Sequence, residues 1–124
     1  MNGRFLLDTN AIIALLNGHN GITQQLQNAV WIGISVISEL EFLSFRQLSQ
    51  NDITLFQSFK ARIHVINLDS QDTVLTNTII STRQNFNLKL PDAIIAASAI
   101  ENQAFLLSND AIFQRVPNIT VLTF

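Results

Sequence analysis

The 124-residue sequence contains no cysteine and few charged residues. Without cysteine, disulfides, thiolate zinc sites and cysteine nucleophiles are excluded. Charged residues make up 13% of the chain, about half of the roughly 25% that is usual in soluble domains. Each acid is therefore more informative than it would be on an ordinary charged surface. The two histidines, His19 and His64, lie too far apart in sequence for a recognisable zinc motif.

Positive charge is scarce as well. Seven Lys and Arg residues stand against nine Asp and Glu residues, which gives a net charge of -2. This balance argues against a broad basic surface, so any contact with nucleic acid must be local or bridged by cations. The sequence shows no signal-peptide pattern, and its longest apolar stretch, residues 93–100, is too short to span a bilayer. We therefore expect a cytoplasmic protein without a membrane segment.

Short strand-like runs alternate with helical ones along the chain. Because strands that are separated by helices pair in parallel, this alternation predicts a three-layer α/β/α sandwich with a central parallel sheet. Hydrophobic residues make up 48% of the sequence, which is sufficient for the core of a single domain over residues 1–124. The predicted strands are 4–7, 31–35, 63–67, 104–107 and 119–122, and the predicted helices are 9–16, 22–30, 36–47, 52–60, 69–85, 91–102 and 110–114.

Three aspartates stand where predicted strands end or helices begin. Asp8 directly follows the apolar run FLL, and Asp110 follows the strand 104–107. Both are also suited to cap a helix N-terminus, where a carboxylate accepts hydrogen bonds from exposed amides. Asp92 lies in the first turn after Pro91, where it interacts favourably with the helix dipole. Taken one by one, these positions do not separate a capping role from a chemical one.

The helix after the second strand carries two acids, Glu39 and Glu41, in the sequence ISVISELEF. A carboxylate within an otherwise apolar helix costs free energy unless it is paired, bound to a metal or exposed. The two glutamates point to different helical faces, and both could reach solvent. The residue pattern alone leaves open which of them faces the site.

The joint placement of the acids is more informative than any one of them. Asp8, Glu39 and Asp110 each follow a predicted parallel strand, and Asp92 begins a helix that leads into another. We therefore expect them along the carboxyl edge of the sheet, where parallel α/β proteins bind ligands. Carboxylates that converge there repel one another unless cations lie between them. Mg²⁺ and Mn²⁺ prefer oxygen ligands, and such a site can activate water for attack on a phosphodiester.

The segments FLLDTN, ISVISELEF, LPDAIIAASAI and LLSNDAIF, in this order and over essentially the whole chain, resemble the PIN-domain family. The likeness is greatest to the VapC-type toxins of bacterial and archaeal toxin–antitoxin pairs. The resemblance implies a PIN fold and an endoribonuclease that depends on Mg²⁺ or Mn²⁺. Matched motif by motif, it implies that the metal-binding catalytic acids are Asp8, Glu39, Asp92 and Asp110, and thus favours Glu39 over Glu41.

The same resemblance implies supporting residues and partners. Asn10 matches the last residue of the DTN motif, and Ser108 supplies the hydroxyl that the family places two residues before its last acid. The implied partners are an RNA substrate, a cognate antitoxin that blocks the acidic cleft, and a second copy of the chain in a homodimer.

Two other functions are compatible with parts of the sequence. Asp8 could accept a phosphoryl group covalently, since strand-terminal aspartates do so, but phosphatases of the haloacid dehalogenase type need a second acid where Asn10 stands. A catalytically silent protein that only binds a partner is the other alternative. Its support is the high apolar content and low charge, which leave hydrophobic surface for an interface.

Overall fold

The computed structural model describes residues 3–124 and contains a five-stranded parallel sheet. Its strands are β1 (Arg4–Leu7), β2 (Trp31–Ser35), β3 (His64–Ile66), β4 (Phe105–Leu107) and β5 (Val121–Leu122), in the spatial order β3-β2-β1-β4-β5. The helices are α1 (Thr9–Leu16), α2 (Asn20–Leu26), α3 (Val36–Leu43), α4 (Gln50–Lys60), α5 (Thr73–Phe86) and α6 (Leu90–Glu101), and Ala111–Arg115 forms a 3₁₀ turn. The strand β1 therefore lies in the middle of the sheet.

The two sides of β1 belong to different hydrophobic cores, as the alternation of side chains along a strand requires. Leu6 packs with the buried residues of α5 and α6, whereas Phe5 and Leu7 pack with those of α1 to α4. Helices cover both faces of the sheet, which confirms the predicted three-layer α/β/α sandwich. Residues 93–99 of α6 are all buried, which explains the run of small and apolar residues there.

The strand register brings distant residues together at the carboxyl edge. Leu7 of β1 pairs with Leu107 of β4, so the residues that follow, Asp8 and Ser108, stand side by side. The Asp8 amide donates to the Leu107 carbonyl at 3.3 Å, and the Ser108 amide donates to the Leu122 carbonyl at 3.0 Å. The parallel ladder thus continues up to the residues of the candidate site.

Several helices differ in extent from the prediction because polar side chains bind their ends: α4 begins at Gln50 rather than 52 after the Ser49 cap, and α5 begins at Thr73 rather than 69 after the Asp72 cap. His19 caps α2, its Nδ1 accepting from the Ile22 amide at 3.3 Å, and this helix begins at Asn20 and ends at Leu26 rather than spanning 22–30. The helix α3 ends at Leu43 instead of residue 47. There the Ser44 hydroxyl donates to the Leu40 carbonyl at 2.6 Å, a local bond that competes with continuation of the helix.

The length and polarity of the helices show whether any of them could span a membrane. Every helix within residues 3–124 is too short or too polar to cross a bilayer.

Candidate functional site

A polar cleft of about 240 Å³ opens at the carboxyl edge of the sheet. Four carboxylates line it, and they come from four separate parts of the chain: the end of β1, the helix α3, the first turn of α6 and the loop after β4. They belong to Asp8, Glu41, Asp92 and Asp110. The predicted convergence of Asp8, Asp92 and Asp110 is therefore observed.

Asp8 is the buried member of this group, with 5% of its surface exposed. It caps α1, its Oδ1 accepting from the Ala11 amide at 2.8 Å. Burial raises the pKa of its carboxyl above the ordinary value of 3.8, and hydrogen bonds from Ser108 and Ala11 oppose that rise. The negative charges of Asp110 and Glu41 add to it. The folded protein therefore disfavours the ionised form of Asp8 relative to its protonated form.

Ser108 links two of the cleft acids. Its fully buried hydroxyl bonds the Asp8 carboxylate and accepts from the Asp110 amide at 3.0 Å. Asp110 in turn caps the 3₁₀ turn, with Oδ1 accepting from the Ile112 amide at 3.0 Å. Capping and cleft placement thus coincide at Asp110, as they do at Asp8, so the two interpretations of these aspartates are compatible.

Asp92 is half-buried in the first turn of α6, after Pro91. Burial raises the pKa of its carboxyl, and the negative charges of Asp110 and Glu41 raise it further, while the positive charge of Lys89 lowers it. The same two negative charges act on Asp8. Mutual repulsion among the four carboxylates is therefore a property of the cleft as a whole.

Glu39 is not part of this cleft, and its expected position there is wrong. It points instead to α4, where the Lys60 ammonium lies 3.1 Å from Oε1 and 3.2 Å from Oε2. The side chain of Glu39 is 14% exposed, so its carboxylate is largely shielded from water and has Lys60 as its charged partner. This ion pair offsets the free-energy cost of placing the Glu39 carboxylate in an apolar helix, and no metal is needed for that.

Glu41 occupies the place that was expected for Glu39. Two residues along a helix differ by about 200° in direction, so only one of the pair can face the cleft. The pattern of ISVISELEF gives no signal for this choice, because the buried residues of α3 are Ser38 and Phe42 and each glutamate directly neighbours one of them in sequence. Glu41 itself is exposed and lines the cleft near the C-terminal end of α3.

Asn10 and Phe45 also line the cleft, together with Thr9, Ile95 and Phe113. Asn10 is exposed at the start of α1, two residues after Asp8. Phe45 is 45% exposed and also lines a neighbouring apolar groove of about 500 Å³, together with Ile13, Leu16 and Phe42. The acidic cleft and the apolar groove thus share a wall.

The donor set fits a hard divalent cation. All four groups are carboxylates, the ligands that Mg²⁺ and Mn²⁺ prefer, and their repulsion favours neutralisation by positive charge. Within residues 3–124, no three His, Asp or Glu side chains are close enough to hold a metal ion directly as they stand. Mg²⁺ retains several of its own waters, through which carboxylates around a small cleft can hold it.

Comparison with known proteins agrees with the fold. A search of curated proteins gives no match. A toxin–antitoxin complex from Klebsiella pneumoniae contains a chain that is 27% identical, with a TM-score of 0.77 and 95% of each chain covered. A chain in the structure of VapBC2 from Rickettsia felis, which is bound to a DNA fragment from the VapBC2 promoter, is 22% identical to this chain. Its TM-score is 0.79, and 97% of this chain and 98% of that chain are covered. DNA-bound VapBC from Salmonella typhimurium gives 23% identity and a TM-score of 0.77, with 97% of each chain covered.

The sequence profile of the PIN domain matches residues 5–119, a segment that includes all four carboxylates of the cleft. The resemblance inferred from the sequence motifs is thereby confirmed. The chain belongs to the PIN domain family.

Proposed function

We propose that the protein is a divalent-metal-dependent endoribonuclease and the toxin of a toxin–antitoxin pair, acting in the cytoplasm. The observation that carries this proposal is the convergence of Asp8, Glu41, Asp92 and Asp110 on one cleft. Membership of the PIN domain family and the likeness to a chain from a toxin–antitoxin complex support the same function.

The four cleft carboxylates are the groups that would hold Mg²⁺ or Mn²⁺, with Glu41 in place of Glu39. A bound divalent cation supplies a water nucleophile at neutral pH and offsets the charge that develops on a phosphodiester. The chain itself supplies a fixed arrangement of oxygens. The Ala11 amide and the Ser108 hydroxyl orient the Asp8 carboxylate, and the Ile112 amide orients that of Asp110.

Asn10 and the small size of the cleft bear on the substrate. An exposed amide beside Asp8 supports the site by offering both a donor and an acceptor at its rim. A cleft of about 240 Å³ suits one backbone phosphate of an unpaired segment, and RNA presents such segments in loops and ends. With seven Lys and Arg residues in the chain, a homodimer that joins two such surfaces would strengthen RNA binding.

The apolar groove beside the cleft supports an antitoxin partner. Its volume of about 500 Å³ and its lining of Ile13, Leu16, Phe42 and Phe45 suit the apolar side chains of a bound protein segment. A segment that fills this groove would lie next to the cleft, because both include Phe45. The antitoxin would thereby block access of RNA to the carboxylates.

Incubation of the purified protein with total RNA tests the proposed activity. We expect cleavage with Mn²⁺, loss of cleavage after addition of a chelator, and recovery when Mn²⁺ is restored, because uncompensated carboxylates repel phosphate. Cleavage that persists in excess chelator would contradict metal dependence.

Two further readouts separate the alternative functions. Absence of both cleavage and calorimetric Mn²⁺ binding would favour a protein that only binds a partner. Stable incorporation of label from an acyl phosphate would favour phosphoryl transfer to Asp8.

A further inference from the structure

The hydroxyl of Thr9 donates to a glutamate side chain, as that of Thr78 in α5 does to Glu101 at 3.4 Å, whereas other helical threonines bind their own helix. Thr23, Thr54 and Thr76 each donate to the backbone carbonyl four residues earlier, at 3.0, 3.0 and 2.9 Å. Thr9 is the first residue of α1, so no helical carbonyl lies one turn before it. Its hydroxyl instead donates to Oε1 of Glu41 at 2.7 Å, across 32 positions of sequence.

Glu41 has the longest side chain of the four cleft acids, which are otherwise aspartates. Asp8 and Asp110 are short side chains fixed by backbone amides. Glu41 is exposed near the end of α3, and a long exposed side chain has many rotamers to lose when it is held in one place. Like charges in the cleft also favour its departure to solvent. Within the described part of the chain, Thr9 is the hydrogen-bond partner of the Glu41 carboxylate.

We infer that Thr9 is a positioning residue whose hydroxyl holds the Glu41 carboxylate in the cleft. The inference rests on the proposed function, in which Glu41 helps to hold a cation. Because Thr9 directly follows Asp8, the junction of β1 and α1 then fixes two of the four carboxylates: Asp8, which caps α1, and Glu41, through the hydroxyl of Thr9. The motif residue between Asp8 and Asn10 thus has a specific role, which is to join α3 to the site.

Calorimetric titration of the full chain with Mn²⁺ tests this role. Thr9→Val keeps the shape of threonine and removes the hydroxyl, and we expect about tenfold weaker Mn²⁺ binding. Thr9→Ser keeps the hydroxyl and should stay within about twofold of the wild type. Thr23→Val is the control, because the Thr23 hydroxyl in α2 donates to the carbonyl of His19, the N-cap residue of that helix. This variant should leave Mn²⁺ binding unchanged. If the valine variant does not fold, Thr9→Ala also removes the hydroxyl and can replace it in the titration, because alanine has a high helix propensity.

A double variant shows whether Thr9 acts through Glu41. In a Glu41→Gln background, Thr9→Val should weaken Mn²⁺ binding no further. A further loss there, or wild-type binding by Thr9→Val alone while Glu41→Gln binds weakly, would overturn the role of Thr9 and leave the proposed function standing. Wild-type binding by both Asp8→Asn and Glu41→Gln would overturn the proposed cation site, and the role of Thr9 with it.

Discussion

Asp8→Asn is expected to lower Mn²⁺-dependent RNA cleavage by at least about 10³-fold, which corresponds to roughly 4 kcal/mol in the barrier. The amide has the shape of the carboxylate but lacks the negative charge that holds a cation. Asparagine is as good an N-cap as aspartate, so the bond to the Ala11 amide and the start of α1 are retained. Initial rates on a defined RNA, with circular dichroism to verify folding, measure the effect.

The same variant should be more stable than the wild type near neutral pH when divalent cations are absent. Because the pKa of Asp8 is raised in the folded protein, the folded state binds more protons than the unfolded state at pH values above 3.8. The free energy of unfolding therefore falls as the pH rises through this window, and Asp92 acts in the same direction. In Asp8→Asn the free energy of unfolding should therefore decrease less with rising pH than in the wild type. Thermal melts from about pH 4 upward would detect the difference.

Asp72→Asn is the matched control for the cleavage measurement. Asp72 caps α5, with Oδ1 accepting from the Leu75 amide at 3.2 Å, but it does not line the cleft. The variant should retain the cleavage of the wild type, because the Asp72 carboxylate does not face the cleft. Undiminished cleavage by Asp8→Asn would remove Asp8 from the mechanism.

The pair Glu41→Gln and Glu39→Gln should separate the site from the scaffold. We expect Glu41→Gln to lower cleavage by about 100-fold, since it removes one of the four charges that face the cation. Glu39→Gln should keep cleavage within about twofold of the wild type, because Glu39 faces Lys60 and not the cleft. It should instead lower the free energy of unfolding by about 0.5–1 kcal/mol, as is typical of a partly exposed ion pair.

The two glutamates are the same residue type on one helix, two positions apart, so each serves as the control for the other. Initial rates and denaturant unfolding of both variants give the comparison. The reverse outcome, with loss of cleavage in Glu39→Gln and retention in Glu41→Gln, would show that α3 is rotated differently about its axis in the active protein.

The strands and their parallel order could be predicted from the sequence because the responsible signals are local. The strands β1 and β2 coincide with the predicted 4–7 and 31–35, since each is a short, largely apolar run that ends at a helix-capping residue, Asp8 or Ser35. The places of Asp8 and Asp110 follow from the same signals, because strand ends of a parallel sheet share one edge.

The role of the third acid could not be predicted in the same way. The choice between Glu39 and Glu41 depends on how α3 is rotated about its axis. In the observed rotation Glu39 pairs with Lys60 of α4, and Glu41 accepts from Thr9, the first residue of α1. These partners lie 21 and 32 positions away in sequence, so no pattern within ISVISELEF specifies them.

The position of a bound cation tests the central claim most directly. Crystals of the protein soaked in Mn²⁺ should show an anomalous scattering peak among the carboxylates of Asp8, Glu41, Asp92 and Asp110. A crystal with an open, ordered cleft and no peak there, or a peak beside Glu39, would contradict the proposed cation site.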